Sequence, residues 1–218
     1  EGKKDDAISS LRAFIDKNPA DVPALALWFA LATEKGNAEQ VIKHTQQQFN
    51  AKKGDLNLRL LLARMYSLNN QLDKTVSLLA DVEGNEASPQ AFWNLKGQAL
   101  IATNNLKDAT AFFDRWLSFY PQDKNAVLGK LLIVDSQKQF EQGLTLINKV
   151  LAKRPDAQLT LLKAYFHSRL GQAKPAWDII NSTAEEVRAL PFVRGVIARL
   201  YLIDKAPEQA VEHAKAAY

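Results

Sequence analysis

Apolar residues in this chain return with two periods at once. At short range they stand four and seven residues after a small residue: Leu11 and Phe14 after Ala7, Leu79 and Val82 after Thr75, Phe113 and Trp116 after Ala109, Ile147 and Val150 after Gly143. That spacing places them on one stripe of an amphipathic helix. At long range the small positions themselves fall at 7, 41, 75, 109, 143, 176 and 210, in steps of 34 or 33. A polar turn precedes each of them, as in Gly36-Asn37-Ala38, Asn70-Gln71-Leu72, Asn104-Asn105-Leu106, Lys138-Gln139-Phe140, Gly171-Gln172-Ala173 and Lys205-Ala206-Pro207. Five residues past the stripe, Pro19, Pro121 and Pro155 stop the helix, because proline lacks the N–H that would continue it. Every copy reads helix, tight turn, helix, turn. The pattern predicts an all-α chain of about thirteen helices: a lone second helix, then six complete pairs.

The repeat boundaries follow from the same phase: a half repeat at 1–21, then 22–55, 56–89, 90–123, 124–156, 157–190 and 191–218, together one domain. No helical pair of this size buries its apolar face alone, so neighbouring pairs must stack and share a lengthwise core. Small residues at Ala63, Gly97, Ala164 and Ala198 in the first helices, and at Ala109, Gly143, Ala176 and Ala210 in the second, let helices approach closely. In the repeat at 90–123, Trp93, Leu95, Gly97 and Leu100 are followed by Ala109, Phe113, Trp116 and Pro121. On these residues the chain resembles the tetratricopeptide repeat (TPR) family, and the resemblance runs from Ala7 to Ala217. It implies a right-handed α-solenoid of helix-turn-helix repeats. The chain departs from the family pattern at Phe29, where a small residue is usual, and at Thr45 and Gln48, where apolar ones are. Lys53, Ala87 and Arg188 replace the closing proline. Both terminal helices lack a polar capping helix, which leads us to expect a piece of a longer repeat protein or ends covered by other molecules.

Composition narrows the chemistry. The 218 residues are 47% hydrophobic with 9 Gly and 8 Pro, few turn formers for a sheet protein. Cysteine is absent, which excludes disulfides, thiolate zinc, iron–sulfur clusters and a cysteine nucleophile. The formal charge of +4 is far from the like-charge blocks of nucleic-acid tails. Glu1 to Asp6 is polar with no apolar segment behind it, so no signal peptide is read in these residues. The longest apolar run, Ala24 to Ala32, makes about 14 Å of helix, half a bilayer's hydrocarbon.

Catalytic signals are weak. No two glycines form G-x-G, so the dinucleotide fingerprint and the P-loop are both missing. His44, His167 and His213 stand far apart, without metal-ligand spacing, and the phase of His167 predicts a packed core histidine. Asp5-Asp6 and Glu185-Glu186 suit helix N-termini better than acid–base work. Trp28, Trp93, Trp116, Phe113 and Tyr201 fall on the stripe and read as core rather than a stacking platform for bases. Lys96, Lys130 and Lys163 share one phase, where stems would cover apolar surface and the heads stay wet. No catalytic residue, cofactor site or metal site is expected.

In proteins of the resembled family the first helix of each pair lines a concave groove. Carried onto this phase, the groove includes Asn57, Arg64, Asn94, Gln98, Tyr165, Arg169 and Arg199, with Leu60, Leu128, Leu132, Phe192 and Leu202 between them. Amide and guanidinium groups there suit peptide backbone and carboxylates. Basic residues number 14 against 15 acidic in 1–123, and 14 against 9 in 124–218, so Arg169 and Arg199 favour an acidic peptide or a C-terminal carboxylate. The Lys-Asn-Asn-Lys-Arg set with which some TPR domains clamp chaperone tails is not reproduced, since Ala26 and Ala30 occupy the matching phase. The resemblance implies a non-catalytic protein-binding scaffold. The N-N-L-K-D-A, Q-F-E-Q-G and R-P-D segments look most like bacterial TPR lipoproteins associated with exopolysaccharide and PEP-CTERM/exosortase sorting, implying periplasm or a membrane-anchored envelope site. The alternatives are an oligomer pairing through solenoid ends and, last, nucleic-acid binding through the basic second half.

Overall fold

The computed structural model describes residues 2–217, with side chains from Ile8 onward; Asp5-Asp6 and Ala7 lie outside the described side chains. The described residues hold fourteen α-helices and no strand. They fall into two compact units, Glu1–Phe119 and Tyr120–Tyr218. In the first unit α1 (Gly2–Lys17) precedes the pairs α2/α3 (Val22–Glu34, Ala38–Ala51), α4/α5 (Leu56–Leu68, Leu72–Leu78) and α6/α7 (Gln90–Ala102, Leu106–Phe119). The second unit contains α8/α9 (Lys124–Ser136, Phe140–Leu151) and α10/α11 (Ala157–Arg169, Ala173–Asn181). A single turn, α12 (Glu185–Arg188), then precedes α13/α14 (Pro191–Ile203, Pro207–Lys215). Each unit is a segment of α-solenoid built from helix-turn-helix repeats. The fourteenth helix is α12, which the apolar stripe does not mark because it buries no residue. None of the described helices is long and apolar enough to cross a membrane.

The turns inside the pairs share one mechanism. Gly36, Asn70, Asn104, Lys138, Gly171 and Lys205 all have φ between 54° and 72°, the left-handed conformation that ends a helix. The residue after each donates its N–H to a carbonyl five positions earlier, from Asn37 to Ala32 (2.8 Å) through Ala206 to Tyr201 (2.8 Å). Between pairs the device is an aspartate. Asp21, Asp55, Asp123 and Asp156 each accept the N–H three residues on, at 2.8 to 3.0 Å, capping α2, α4, α8 and α10. At α6 and α13 no side chain caps the start, and there the preceding second helix is short, seven residues in α5 and nine in α11.

The core runs through each unit as clusters shared by neighbouring helices. Ile15, Leu25, Trp28, Val41, Leu58, Leu62 and Met65 share one cluster across α1 to α4. Trp93, Phe112, Phe113 and Trp116 follow, ring on ring, at 5.3 to 6.0 Å. In the second unit Ala164, Ala176, Ile180, Val196 and Leu200 form the equivalent cluster. The apolar run Ala24–Ala32 lies inside α2 and is largely buried. The departures from the pattern are absorbed locally. Phe29 is buried, Thr45 returns its hydroxyl to the Val41 carbonyl (2.9 Å), and Phe49 fills the place that Gln48 leaves. His167 is a correction: it is half-buried, and its Nδ1 meets Gln172 Oε1 at 2.6 Å across the turn instead of packing in the core.

Candidate functional site: the first-helix face

The first helices α2, α4, α6, α8, α10 and α13 are all thirteen residues long and form a row within each unit, α2 against α4 against α6 and α10 against α13. The second helices cover one side of that row. On the other side large apolar side chains remain open: Leu68 (64% exposed), Leu132 (59%), Leu202 (62%) and Phe192 (46%). Exposed apolar side chains also stand on second helices, Phe14 on α1 and Val211 on α14, so exposure alone does not distinguish the first-helix side.

In the first unit a cavity of about 350 Å³ opens between α2 and α4. Its walls are Ala26, Phe29, Ala30 and Thr33 on one helix and Leu61, Arg64, Met65 and Leu68 on the other, with nothing from the second helices. Ala26 and Ala30 make the room, and Arg64 is exposed at the edge without a hydrogen-bond or ion-pair partner among the described residues. On α6, Asn94 is half-buried and Gln98 is exposed one turn later.

The second unit gathers a cluster that the sequence indicated only in part. Asp135 Oδ1 on α8 accepts from the Tyr165 hydroxyl (2.8 Å) and from Arg169 Nη1 (3.2 Å), both on α10, and Arg169 Nη1 also donates to the Tyr165 oxygen. The Arg169 guanidinium lies over the Phe140 ring at 4.4 Å, and Tyr165 meets Phe192 of α13 at 5.7 Å. Burial, then the Asp135 carboxylate, raises the Tyr165 hydroxyl above its ordinary value and keeps it a donor. Arg169 is thereby neutralised within the face, whereas Arg199 is exposed and unpaired among the described residues. Asp135 escaped the sequence reading, yet it had a signal: it stands 34 residues before Arg169, one repeat period, with opposite charge.

The seven polar groove residues divide four to the first unit and three to the second. Cavity and cluster bring Arg64, Tyr165 and Arg169 into defined surroundings. The lysine phase needs a correction at Lys96, whose head is not wet. It donates to the carbonyls of Leu79 (2.8 Å), Ala80 (3.3 Å) and Val82 (2.9 Å) below the end of α5. Burial lowers its pKa against the opposing pull of Asp81, Asp108 and Glu83.

This helix-turn-helix stacking is the fold of TPR proteins, and solved structures align with it over most of the chain. A tetratricopeptide repeat protein from Parabacteroides merdae matches 99% of this chain and 86% of its own at 18% identity, with a TM-score of 0.62. MamA from Desulfovibrio magneticus RS-1 matches 73% and 91% at 16% identity (TM-score 0.61). YrrB, described as a TPR protein with an unusual peptide-binding site, matches 94% and 97% at 11% identity (TM-score 0.60). No family model and no curated protein matches the sequence.

Proposed function

We propose that this chain is a non-catalytic scaffold that binds an extended segment of another protein along its first-helix faces. The observation that carries this is the cavity between α2 and α4, apolar in its walls and edged by the unpaired Arg64. It offers a bulky side chain a place to dock and a neighbouring carboxylate a cation. Arg199 repeats the exposed cation in the second unit, on the helix that also carries the exposed Leu202 and Phe192, so the partner is an acidic segment or a C-terminal one with interspersed apolar residues. The peptide-binding description of YrrB and the shared fold support the same class of role.

Selection of peptides from a random library against the full chain tests this. Enriched sequences should pair apolar with acidic residues, and both Arg64→Glu and Ala30→Trp should weaken them at least tenfold, about 1.4 kcal/mol, with unchanged helicity. Equal binding by the variants would place the partner elsewhere.

The setting we propose is a bacterial envelope assembly that handles exopolysaccharide or exported protein, supported by the likeness of the turn and link segments. Cell fractionation decides it, and recovery from the cytosol alone would overturn it. A second reading, pairing of two copies, draws on Phe14 (47% exposed) on α1 and Val211 (51%) on α14. Light scattering that shows a monomer at every concentration would remove it.

A further inference from the structure

On the second-helix side of the second unit, α11 stops at Asn181, and the single turn of α12 intervenes before α13 begins. The shortened layer leaves a cleft of about 410 Å³ between α11, α12, α13 and α14. That volume falls within the range of small-molecule sites. Arg188 and Arg194 both line it. Arg188 has no ion-pair or hydrogen-bond partner among the described residues, although it is half-buried. Arg194 spends only its Nε, on the Ala189 carbonyl at 3.1 Å, which also ties it to the segment that carries Arg188. Both guanidiniums thus keep N–H groups that are not spent on a carboxylate, the donors that pair with a carboxylate or phosphate.

Three rings, Trp177, Tyr201 and His213, share the lining with the aliphatic Ile180 and Ile197. Trp177 and Tyr201 meet edge to face at 5.1 Å, and Tyr201 stacks on His213 at 5.4 Å. Trp177 Nε1 donates to Asp204 Oδ2 at 2.7 Å, which fixes the indole. His213 adds a second unmet demand, because its Nδ1 is buried and has no hydrogen-bond partner. Glu185 also lines the cleft, so its formal charge is +1 with a neutral histidine. That balance suits one compact anionic head and disfavours a polyanion.

We propose that this cleft binds a small molecule that combines an anionic head with an aromatic body. The head, a carboxylate or a phosphate, lies between Arg188 and Arg194, and the body lies against Trp177 and Tyr201. The site stands apart from the first-helix face and does not depend on how that face is used.

The full chain is titrated with benzoate, phenyl phosphate and phenol while the indole N–H resonances are followed, with Trp177→Phe assigning the relevant signal. Benzoate or phenyl phosphate should shift the Trp177 signal saturably, and phenol should be at least tenfold weaker. Whichever anion binds more tightly identifies the head. Arg188→Ala should weaken that anion tenfold or more with an unchanged circular dichroism spectrum; Arg188→Gln serves in its place should the alanine variant not fold. The proposal is overturned if neither anion gives a saturable shift, if phenol matches them, or if binding survives the loss of Arg188.

Discussion

Asn70, Asn104, Lys138 and Lys205 hold positive φ at turns where Gly36 and Gly171 do the same work without a side chain. A Cβ in the left-handed region crowds the following carbonyl, and lysine has no short polar group to offset the strain. Lys138→Gly and Lys205→Gly should therefore each stabilise the chain by about 1 kcal/mol, read as a rise in denaturation midpoint; a fall would show that the lysine stems pack usefully. The aspartate caps allow a test by pH. Asp156 is held below the ordinary aspartate value, first by the Leu159 N–H and then, against some burial, by Lys124 at 3.1 Å. Because the folded state keeps the proton off more strongly than the unfolded one, the contribution is full above about pH 4 and is lost as pH falls through the depressed value. Asp156→Ala should cost about 1 kcal/mol at pH 7, and its gap to the parent protein should close on acidification below pH 4. A gap that persists unchanged to pH 2 would assign the effect to something other than the carboxylate.

Helix α5 shows how one element is ended from outside. It has seven residues where α3 and α7 have fourteen, and beyond it the carbonyls of Leu79, Ala80 and Val82 are collected by the Lys96 ammonium of α6. Gly84 then lies against the Trp93 ring so closely that a Cβ would stand 2.3 Å from it. Lys96→Met keeps the stem but leaves three carbonyls without that donor, and should cost about 2 kcal/mol by chemical denaturation; a loss below half of that would mean water replaces the ammonium. Two helical glycines make a second contrast. A Cβ on Gly143 would meet Phe166 at 2.4 Å, whereas one on Gly195 meets nothing within 4 Å. Gly143→Ala should destabilise by about 1–3 kcal/mol through overpacking, and Gly195→Ala should stabilise by up to about 1 kcal/mol through helix propensity. The same sign for both would contradict this packing.

Across the molecule, stability should be uneven. Residues 79–89 and 182–190 interrupt the regular succession of helices, and both follow a shortened second helix. Their amides should exchange with solvent faster than those of α6 or α10, since locally open segments lack the ladder and the buried stripe that protect helices. Uniform protection through both interruptions would contradict this. The same two interruptions border two clefts on the second-helix side, one in each unit. The first helices remain regular within each unit, all of them thirteen residues long.

The sequence alone determined the all-helical class, the 34-residue phase, the turn positions and the small residues at close contacts, because each follows from local periodicity and backbone chemistry that repeats copy after copy. It also placed Arg64, Tyr165, Arg169 and Arg199 on first helices. Only the tertiary structure decided which of these charges are free. Asp135 reaches Arg169 from a neighbouring pair, Lys96 turns inward to carbonyls just beyond the end of α5, and α5 and α11 stop short; all three outcomes are settled by contacts between segments distant in sequence. A repeat pattern specifies what its copies share. The partnering of charges and the clefts between helices arise where copies differ, and that is resolved only when the helices pack.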